Sequence, residues 1–201
     1  MTVEDLLELS TAFPKLNCSP SHGMIWGTLD IDCSYDEGSQ ELVFNDQFEN
    51  PICDCYEIRM DFNMRDTFGF PVVFEDSGKI EAFSKEAKIS MGDLHLNSEN
   101  SACCLGIYPE YQWRGATAYI QDKVIPFLYW QSYRRTFGKP PWPGYSHGIA
   151  GIQQAMTMTP AEATKGCSRN KMCPCGSNKK YKKCCMERDA ILMKKLTEKK
   201  V

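Results

Sequence analysis

Apolar and polar residues alternate without a fault over Tyr56-Glu57-Ile58-Arg59-Met60-Asp61-Phe62. That period of two is the signature of a half-buried strand. Met24 to Ile31 is rich in β-formers, Glu41 to Phe44 is a second candidate, and Val72-Val73-Phe74 follows Phe70-Pro71 as a fourth strand. Ahead of the strands the spacing turns helical. Thr2 is placed to cap a helix with Asp5 three residues on, and Val3, Leu6, Leu7 and Phe13 are expected on its apolar face, with Pro14 and Asn17 ending it. A long helical stretch runs from about Gly115 to Thr136, with Ala116, Ile120, Val124, Phe127 and Leu128 as its core face and a kink expected at Pro126. Between the last strand and this helix lies a segment with neither period. The order helix, antiparallel meander, irregular segment, helix predicts an α+β architecture.

Charge divides the chain more sharply than hydropathy does. Lys165 to Val201 carries twelve Lys or Arg against three Asp or Glu, a surplus of nine positive charges, while the preceding residues carry a net twelve negative ones. An acidic body is thus followed by a basic tail, able to meet nucleic acid, an acidic protein or the body itself. A solvated Lys-rich face is the commoner meaning of such a tail. For nucleic acid the case rests on charge alone, because Tyr181 is the tail's one aromatic residue for base stacking. The expected division is a body over 1–156, a small and mostly polar linker over 157–169, and a terminal module over 170–201. A short helix after Pro160 is an alternative for the linker. Ile191, Leu192 and Leu196 suggest an amphipathic helix between Met186 and Lys200. No apolar run approaches the roughly 18 residues a membrane span needs. The first residues, Met1-Thr2-Val3-Glu4-Asp5, have neither the basic nor the apolar region of a secretory leader, so the chain is expected in the cytoplasm.

The tail holds the strongest chemical signal. Cys173-Pro174-Cys175 is followed by Cys184-Cys185, with the turn-forming and basic Gly176 to Lys183 between them. Four thiolates at this spacing can reach one Zn²⁺, which takes sulfur ligands tetrahedrally at about 2.3 Å. A peptide with so few apolar residues cannot build a core, so metal binding is expected to supply its folding energy. Its lysines offset the negative charge of a four-thiolate centre. A disulfide framework would need an oxidising compartment, and a redox pair would usually read C-x-x-C rather than C-x-C. Cys167 lies close by, but its spacing fits poorly. The run Cys-Pro-Cys-Gly-Ser-Asn-Lys-Lys-Tyr-Lys-Lys-Cys-Cys resembles the SEC-C motif, a small zinc module first known at the end of the bacterial preprotein translocase motor, over about residues 170–188. Asn178 stands where that family usually has Gly. The motif is an add-on of many proteins and implies docking to a partner.

In the body, the irregular segment draws attention. It contains His95-Leu96-Asn97, then Ser98 to Ala102, then Cys103-Cys104-Leu105. Loops on a rigid scaffold carry chemistry more often than core elements do. A thiolate is a strong nucleophile, and an amide N–H can stabilise the oxyanion formed when a thioester is attacked. Two adjacent cysteines also suit a core, since Cys is among the most buried residue types. On spacing alone, core burial is the simpler explanation. Cys53-Asp54-Cys55 resembles half a metal site with no second pair in view, and Cys18 and Cys33 stand alone.

Phe68-Gly69-Phe70-Pro71-Val72-Val73, then His95-Leu96-Asn97, then Cys104-Leu105 resembles the ubiquitin-conjugating enzyme family. That family has a Tyr/Phe-Pro element, a His-Pro-Asn turn and a Cys-Leu pair about ten residues after the His; Leu96 here replaces the Pro. Trp130-Gln131-Ser132-Tyr133, Gly138 to Trp142 and His147-Gly148 look like its bacterial branch, found in anti-phage CBASS operons beside a cyclic-nucleotide synthase. The resemblance spans about residues 1–150. It implies a thioester-forming transferase acting on the C-terminus of a protein, with that synthase as the partner that is joined or primed. It implies Cys104 as the acceptor thiol, Asn97 as the oxyanion or loop-ordering amide, and His95 as a structural residue of the turn. Cys103 is the rival nucleophile. His147 could shape the site, or be an ordinary loop histidine. A non-catalytic adaptor, using the same fold and a zinc tail for binding, is the competing class.

Overall fold

Thr2 caps the first helix as its spacing predicts. Its hydroxyl accepts from the Asp5 N–H at 3.1 Å, and the Asp5 carboxylate accepts from the Thr2 N–H at 2.6 Å, so each residue satisfies a donor the helix start would otherwise leave open. A computed structural model gives this helix, α1, as Val3–Ala12. It describes residues 2–36, 38–39, 41–44, 51–66, 69–97, 100–106, 111–142 and 180–183. The face of α1 is not the expected one. Val3 and Leu7 are 84% and 68% exposed, whereas Leu9 is 2% exposed. Leu6 and Phe13 lie half-buried as expected, and Leu9 joins them where Val3 and Leu7 do not, which is the three-then-four spacing of one helical stripe.

Five strands follow: β1 Leu16–Ser19, β2 Met24–Asp36, β3 Glu41–Val43, β4 Ile52–Arg65 and β5 Pro71–Glu75. They form an antiparallel sheet in the order β1-β2-β4-β5, with β3 pairing the far end of β2. Asn17, expected to end α1, is a strand residue, because the helix stops at Ala12 and the chain turns directly into β1. Gly27 makes that turn back possible. Opposite Leu16 in the register, it has φ +134, and a Cβ there would lie 2.4 Å from the Lys15 carbonyl oxygen, a contact no side chain tolerates.

The alternation read in Tyr56–Phe62 is that of β4. Tyr56, Ile58 and Met60 are no more than 2% exposed. They lie opposite Leu29, Gly27 and Ile25 of β2. Val73 faces Met60 across β5 and joins them. The other face of the sheet is mostly wet, except for a small cluster of Val72, Phe74 and Ala102.

Helix α2, Lys79–Ala87, stands between β5 and the expected loop; that segment is not wholly irregular. The long helical run has three parts: α3 Ala116–Tyr119, a wide π-type turn Ile120–Val124, and α4 Ile125–Phe137. In the wide turn the Ile125 N–H reaches back to the Ile120 carbonyl. Pro126 follows at once and has no N–H to give to the turn before it, so the regular ladder is interrupted where the kink was expected. Ala116, Ile120, Val124, Phe127 and Leu128 are all buried, as their spacing predicts. Every residue from Phe127 to Ser132 is buried too. A helix buried all round has neighbours on more than one side. Those neighbours are the sheet and the segment after α2.

The architecture is α+β. The chain divides into two compact units, residues 1–106 with 110–141, and residues 107–109 with 142–201. The linker expected at 157–169 lies outside the described residues. Among the described residues no helix is long and apolar enough to cross a membrane.

Candidate functional site

The segment from Leu94 to Cys104 folds back on itself. Leu96 pairs antiparallel with Cys103, the Asn97 N–H donates to the Ala102 carbonyl at 2.8 Å, and the Cys104 N–H donates to the His95 carbonyl at 2.7 Å. The Ser101 N–H closes the tip on the Asn97 carbonyl at 2.8 Å. The returning arm then attaches to the sheet. The Cys103 N–H donates to the Val73 carbonyl at 2.8 Å, and Ala102 bridges Phe74. His95 and Ser101 take left-handed backbone, φ 56 and φ 58, which non-glycine residues adopt uncommonly and mostly where the surroundings hold them there. The structure therefore brings His95, Asn97, Cys103 and Cys104 into one small turn.

The two cysteines differ as neighbours on a strand should. Leu96 is buried, its partner Cys103 is half-buried, and Asn97 and Cys104 are exposed. Burial pushes the Cys103 thiol well above its ordinary range, and the Glu75 and Asp76 carboxylates push it further. The Glu75 N–H directed at its sulfur offsets only part of this. A thiol held protonated is a poor nucleophile. Glu75 is itself fixed. Its carboxylate accepts from the Ser77 hydroxyl, and from the N–H groups of Lys79 at 3.4 Å and Ile80 at 3.2 Å. It thereby caps α2, whose N-cap position is a left-handed Gly78 with no side chain to offer.

Helix α4 holds the turn from behind. The Gln131 Nε2 donates to the Leu94 carbonyl at 2.7 Å, and an Arg134 guanidinium nitrogen donates to the Asp93 carbonyl at 2.8 Å. The His95 ring stands edge-on to Trp130 with centroids 5.1 Å apart, and Arg134 lies over the same indole at 5.0 Å. Gln131 is 0% exposed. Its Oε1 has no hydrogen-bond partner among the described residues. Such an orphaned acceptor costs about 1–3 kcal/mol. Sequence reasoning missed these three supports. The signal was present for Gln131, which follows Val124 and Leu128 on the apolar stripe of the helix at intervals of four and three.

A second polar cluster sits on the inner side of the sheet. Asp54 lies in phase with Ile52, Tyr56 and Ile58, opposite Ile31. It accepts from Lys79 at 2.7 Å, Ser132 at 2.7 Å and Arg135 at 3.0 Å. The Tyr56 hydroxyl shares the Ser132 hydroxyl at 2.7 Å. Burial opposes the charge on Asp54, yet the Lys79 and Ser132 hydrogen bonds and the Lys79 charge hold its carboxyl down at about 2. Cys53 and Cys55 point the other way, opposite Asp32 and Asp30 across the strand pair, and the Cys53 thiol donates to Asp32 at 3.2 Å. The register supplies carboxylates beside the two thiols. Even so, among the described residues no group of three or more His, Cys, Asp or Glu is arranged to hold a metal ion. Cys33 is a core residue, 1% exposed, and Cys18 lies on β1.

His147 lies outside the described residues, as do Cys173, Cys175, Cys184, Cys185 and the expected helix of the tail. Between the two cysteine pairs, Tyr181–Lys183 forms a 3-10 turn, closed by the Lys183 N–H on the Lys180 carbonyl at 2.8 Å.

Comparison with known proteins places the tail. The SEC-C motif matches residues 169–187. Over 35 residues, 17% of this chain, the sequence is 57% identical to the protein translocase subunit SecA of Geobacter metallireducens (strain ATCC 53774 / DSM 7210 / GS-15). The match covers 4% of that protein, so the likeness extends to the motif and not to the activity of the relative. No solved structure matches the chain.

Proposed function

We propose that the body is an acyl transferase of the ubiquitin-conjugating type, with Cys104 as the acceptor thiol. The observation that carries this reading is the turn itself: an exposed Cys104 and an exposed Asn97 on one backbone-paired loop, beside a Cys103 kept protonated. The order of α1, antiparallel sheet, loop and long helix is the one that the resemblance to that family implies, with α2 as an added element before the loop. The donor is a protein C-terminus activated as an acyl adenylate or a thioester. The Cys104 sulfur bonds to the carbonyl carbon, the adenylate or thiol leaves, and the Cys104 proton passes to the leaving group or to water. Attack by a thiol on an activated acyl group is near-balanced, so positioning can supply much of the rate. In the second step an amine attacks, charge builds on the carbonyl oxygen, and the Asn97 amide N–H stabilises it. The C–S bond then breaks, and the amine's proton passes through water to the departing sulfur, which restores the thiol. His95 holds the turn through its left-handed backbone and its packing on Trp130. From the resemblance, the C-terminus belongs to a cyclic-nucleotide synthase.

The tail is read as a zinc module. Four thiols two by two, with a turn between them, form a donor set that suits Zn²⁺. Cys173, Cys175, Cys184 and Cys185 would hold the ion, which gives the segment its folding energy when bound. Metal analysis of the purified chain is expected to find about one equivalent of zinc. Less than about half an equivalent would count against a site of the affinity such modules show.

The transferase reading is tested on a non-reducing gel with the synthase and an activating enzyme present. A thiol-sensitive adduct is expected, absent in Cys104→Ala and retained in Cys103→Ser. In Cys104→Ser it should become a thiol-resistant oxyester. An adduct that survives Cys104→Ala and vanishes in Cys103→Ala would transfer the role to the neighbour. No adduct with the unmutated chain would favour a binding adaptor.

A further inference from the structure

We infer that Gln131 is a positioning residue for Cys104, acting through the backbone of the loop without touching the reacting atoms. Its consequence for transfer depends on the acyl-transfer reading of Cys104; its geometry does not. The path is short. Gln131 Nε2 donates to the Leu94 carbonyl at 2.7 Å. The next residue, His95, takes the left-handed conformation that starts the outgoing arm of the turn. The His95 carbonyl then accepts from the Cys104 N–H at 2.7 Å.

An apolar side chain would suit this place better if packing were all that was needed. Gln131 is fully buried on the same stripe as Val124 and Leu128, and its Oε1 acceptor meets no donor among the described residues. Gln131→Met would remove one unmet acceptor, Gln131 Oε1, and leave another, the Leu94 carbonyl, without its donor, so the two costs roughly offset. What a methionine could not provide is the single bond to Leu94. The left-handed turn at His95 leaves that carbonyl facing α4, and Gln131 is the donor that meets it. Arg134 makes the matching bond one residue earlier, to Asp93, from a less buried position. Losing the Gln131 bond should therefore loosen the turn while the core stays closed.

Two thiols of the chain report these events separately. Cys33 is 1% exposed in the sheet core, so its alkylation reads global opening. Cys103 is half-buried on the returning arm, held by Leu96 and Val73, so its alkylation rate rises when the turn opens. The experiment is iodoacetamide labelling of the full zinc-loaded chain, resolved residue by residue by mass spectrometry, for the natural protein, Gln131→Met and Gln131→Glu. In Gln131→Met the Cys103 rate should rise about threefold to tenfold, the range to which the net worth of one hydrogen bond converts. Cys33 should not change. The Glu variant adds a pH dependence that packing alone would not create. Protonated, its carboxyl can donate to the Leu94 carbonyl; ionised, it cannot. The ratio of its Cys103 rate to the natural protein's at the same pH, which cancels the ordinary rise of thiolate with pH, should be near one at low pH and grow as pH rises, while the same ratio at Cys33 stays near one.

Parallel rises at Cys33 and Cys103 would overturn the inference, because Gln131 would then merely hold the core. Unchanged labelling of Cys103 in both variants would overturn it as well. If Gln131→Met does not fold, the pH series of Gln131→Glu decides alone. Where the synthase adduct forms, it should slow in Gln131→Met without loss of thermal stability. A selective change at Cys103 in a chain that never forms an adduct would sink the transferase reading and leave the positioning role standing.

Discussion

Helix α4 fastens two regions of the body from neighbouring positions, and the two attachments are built differently. Towards β4 and α2, Ser132 and Arg135 join Lys79 on the Asp54 carboxylate, with three side-chain donors within 3.0 Å. Towards the loop, Gln131 and Arg134 reach backbone carbonyls of Leu94 and Asp93, and the Gln131 acceptor meets no donor among the described residues. The first is a half-buried ionic cluster, which is costly to break because removal of Asp54 leaves two partly desolvated cations without their anion. The second is a single bond made at a local loss, which aims a piece of backbone. The first attachment joins side chain to side chain, and the second joins side chain to backbone.

Breaking the scaffold side should have the largest effect on stability. Asp54→Ala leaves Lys79 and Arg135 without their shared anion and is expected to lower unfolding free energy by about 2 kcal/mol in chemical denaturation, less than for a fully buried pair because both cations are partly exposed. Breaking the site side should cost rate and not stability. Asn97→Ala, at an exposed position, should slow transfer from the Cys104 thioester by about 10²-fold, the lower range for one oxyanion donor, with its Tm within about 2 °C of the parent. An equal loss of Tm would show that Asn97 only orders the loop.

Acid sharpens the contrast. The Asp54 carboxyl is depressed to about 2, so its contribution is present above the ordinary carboxylate range near 4 and is lost as pH falls through about 2. Between those values the body should lose about 2 kcal/mol that Asp54→Asn does not lose. The Gln131 contact has no titrating group and should be insensitive over the same range. The smallest effect is expected from Gln131→Met itself, whose unfolding free energy should stay within about 1 kcal/mol of the parent. A loss as large as that of Asp54→Ala would erase the distinction between the two attachments.

The difference also bears on what was legible in the sequence. Strand β4 was readable because one wet and one dry face impose a strict period of two over Tyr56–Phe62. The capping box of α1 and the core stripe of the long helix were readable for similar local reasons. Helix α2 was not, since its cap is the carboxylate of Glu75, upstream of a Gly78 that carries no capping side chain. The inward face of α1 was misread because Leu9 was passed over for Val3 and Leu7. Asp54 looks like a surface residue by type, yet its phase with Ile52 and Tyr56 places it inside. The turn carrying His95, Asn97 and Cys104 was legible as residues but not as geometry. Its shape depends on the β5 edge, the Val72–Phe74–Ala102 cluster and α4, contacts distant in sequence.

The most direct test of Cys104 as the acyl carrier is peptide-level mass spectrometry of the adduct isolated under non-reducing conditions. Fragmentation between Cys103 and Cys104 assigns the acyl group to one sulfur. The expected result is a thiol-labile acyl mass on Cys104 with Cys103 unmodified. An acyl group on Cys103, or on a lysine in a thiol-resistant linkage with Cys104 free, would contradict it.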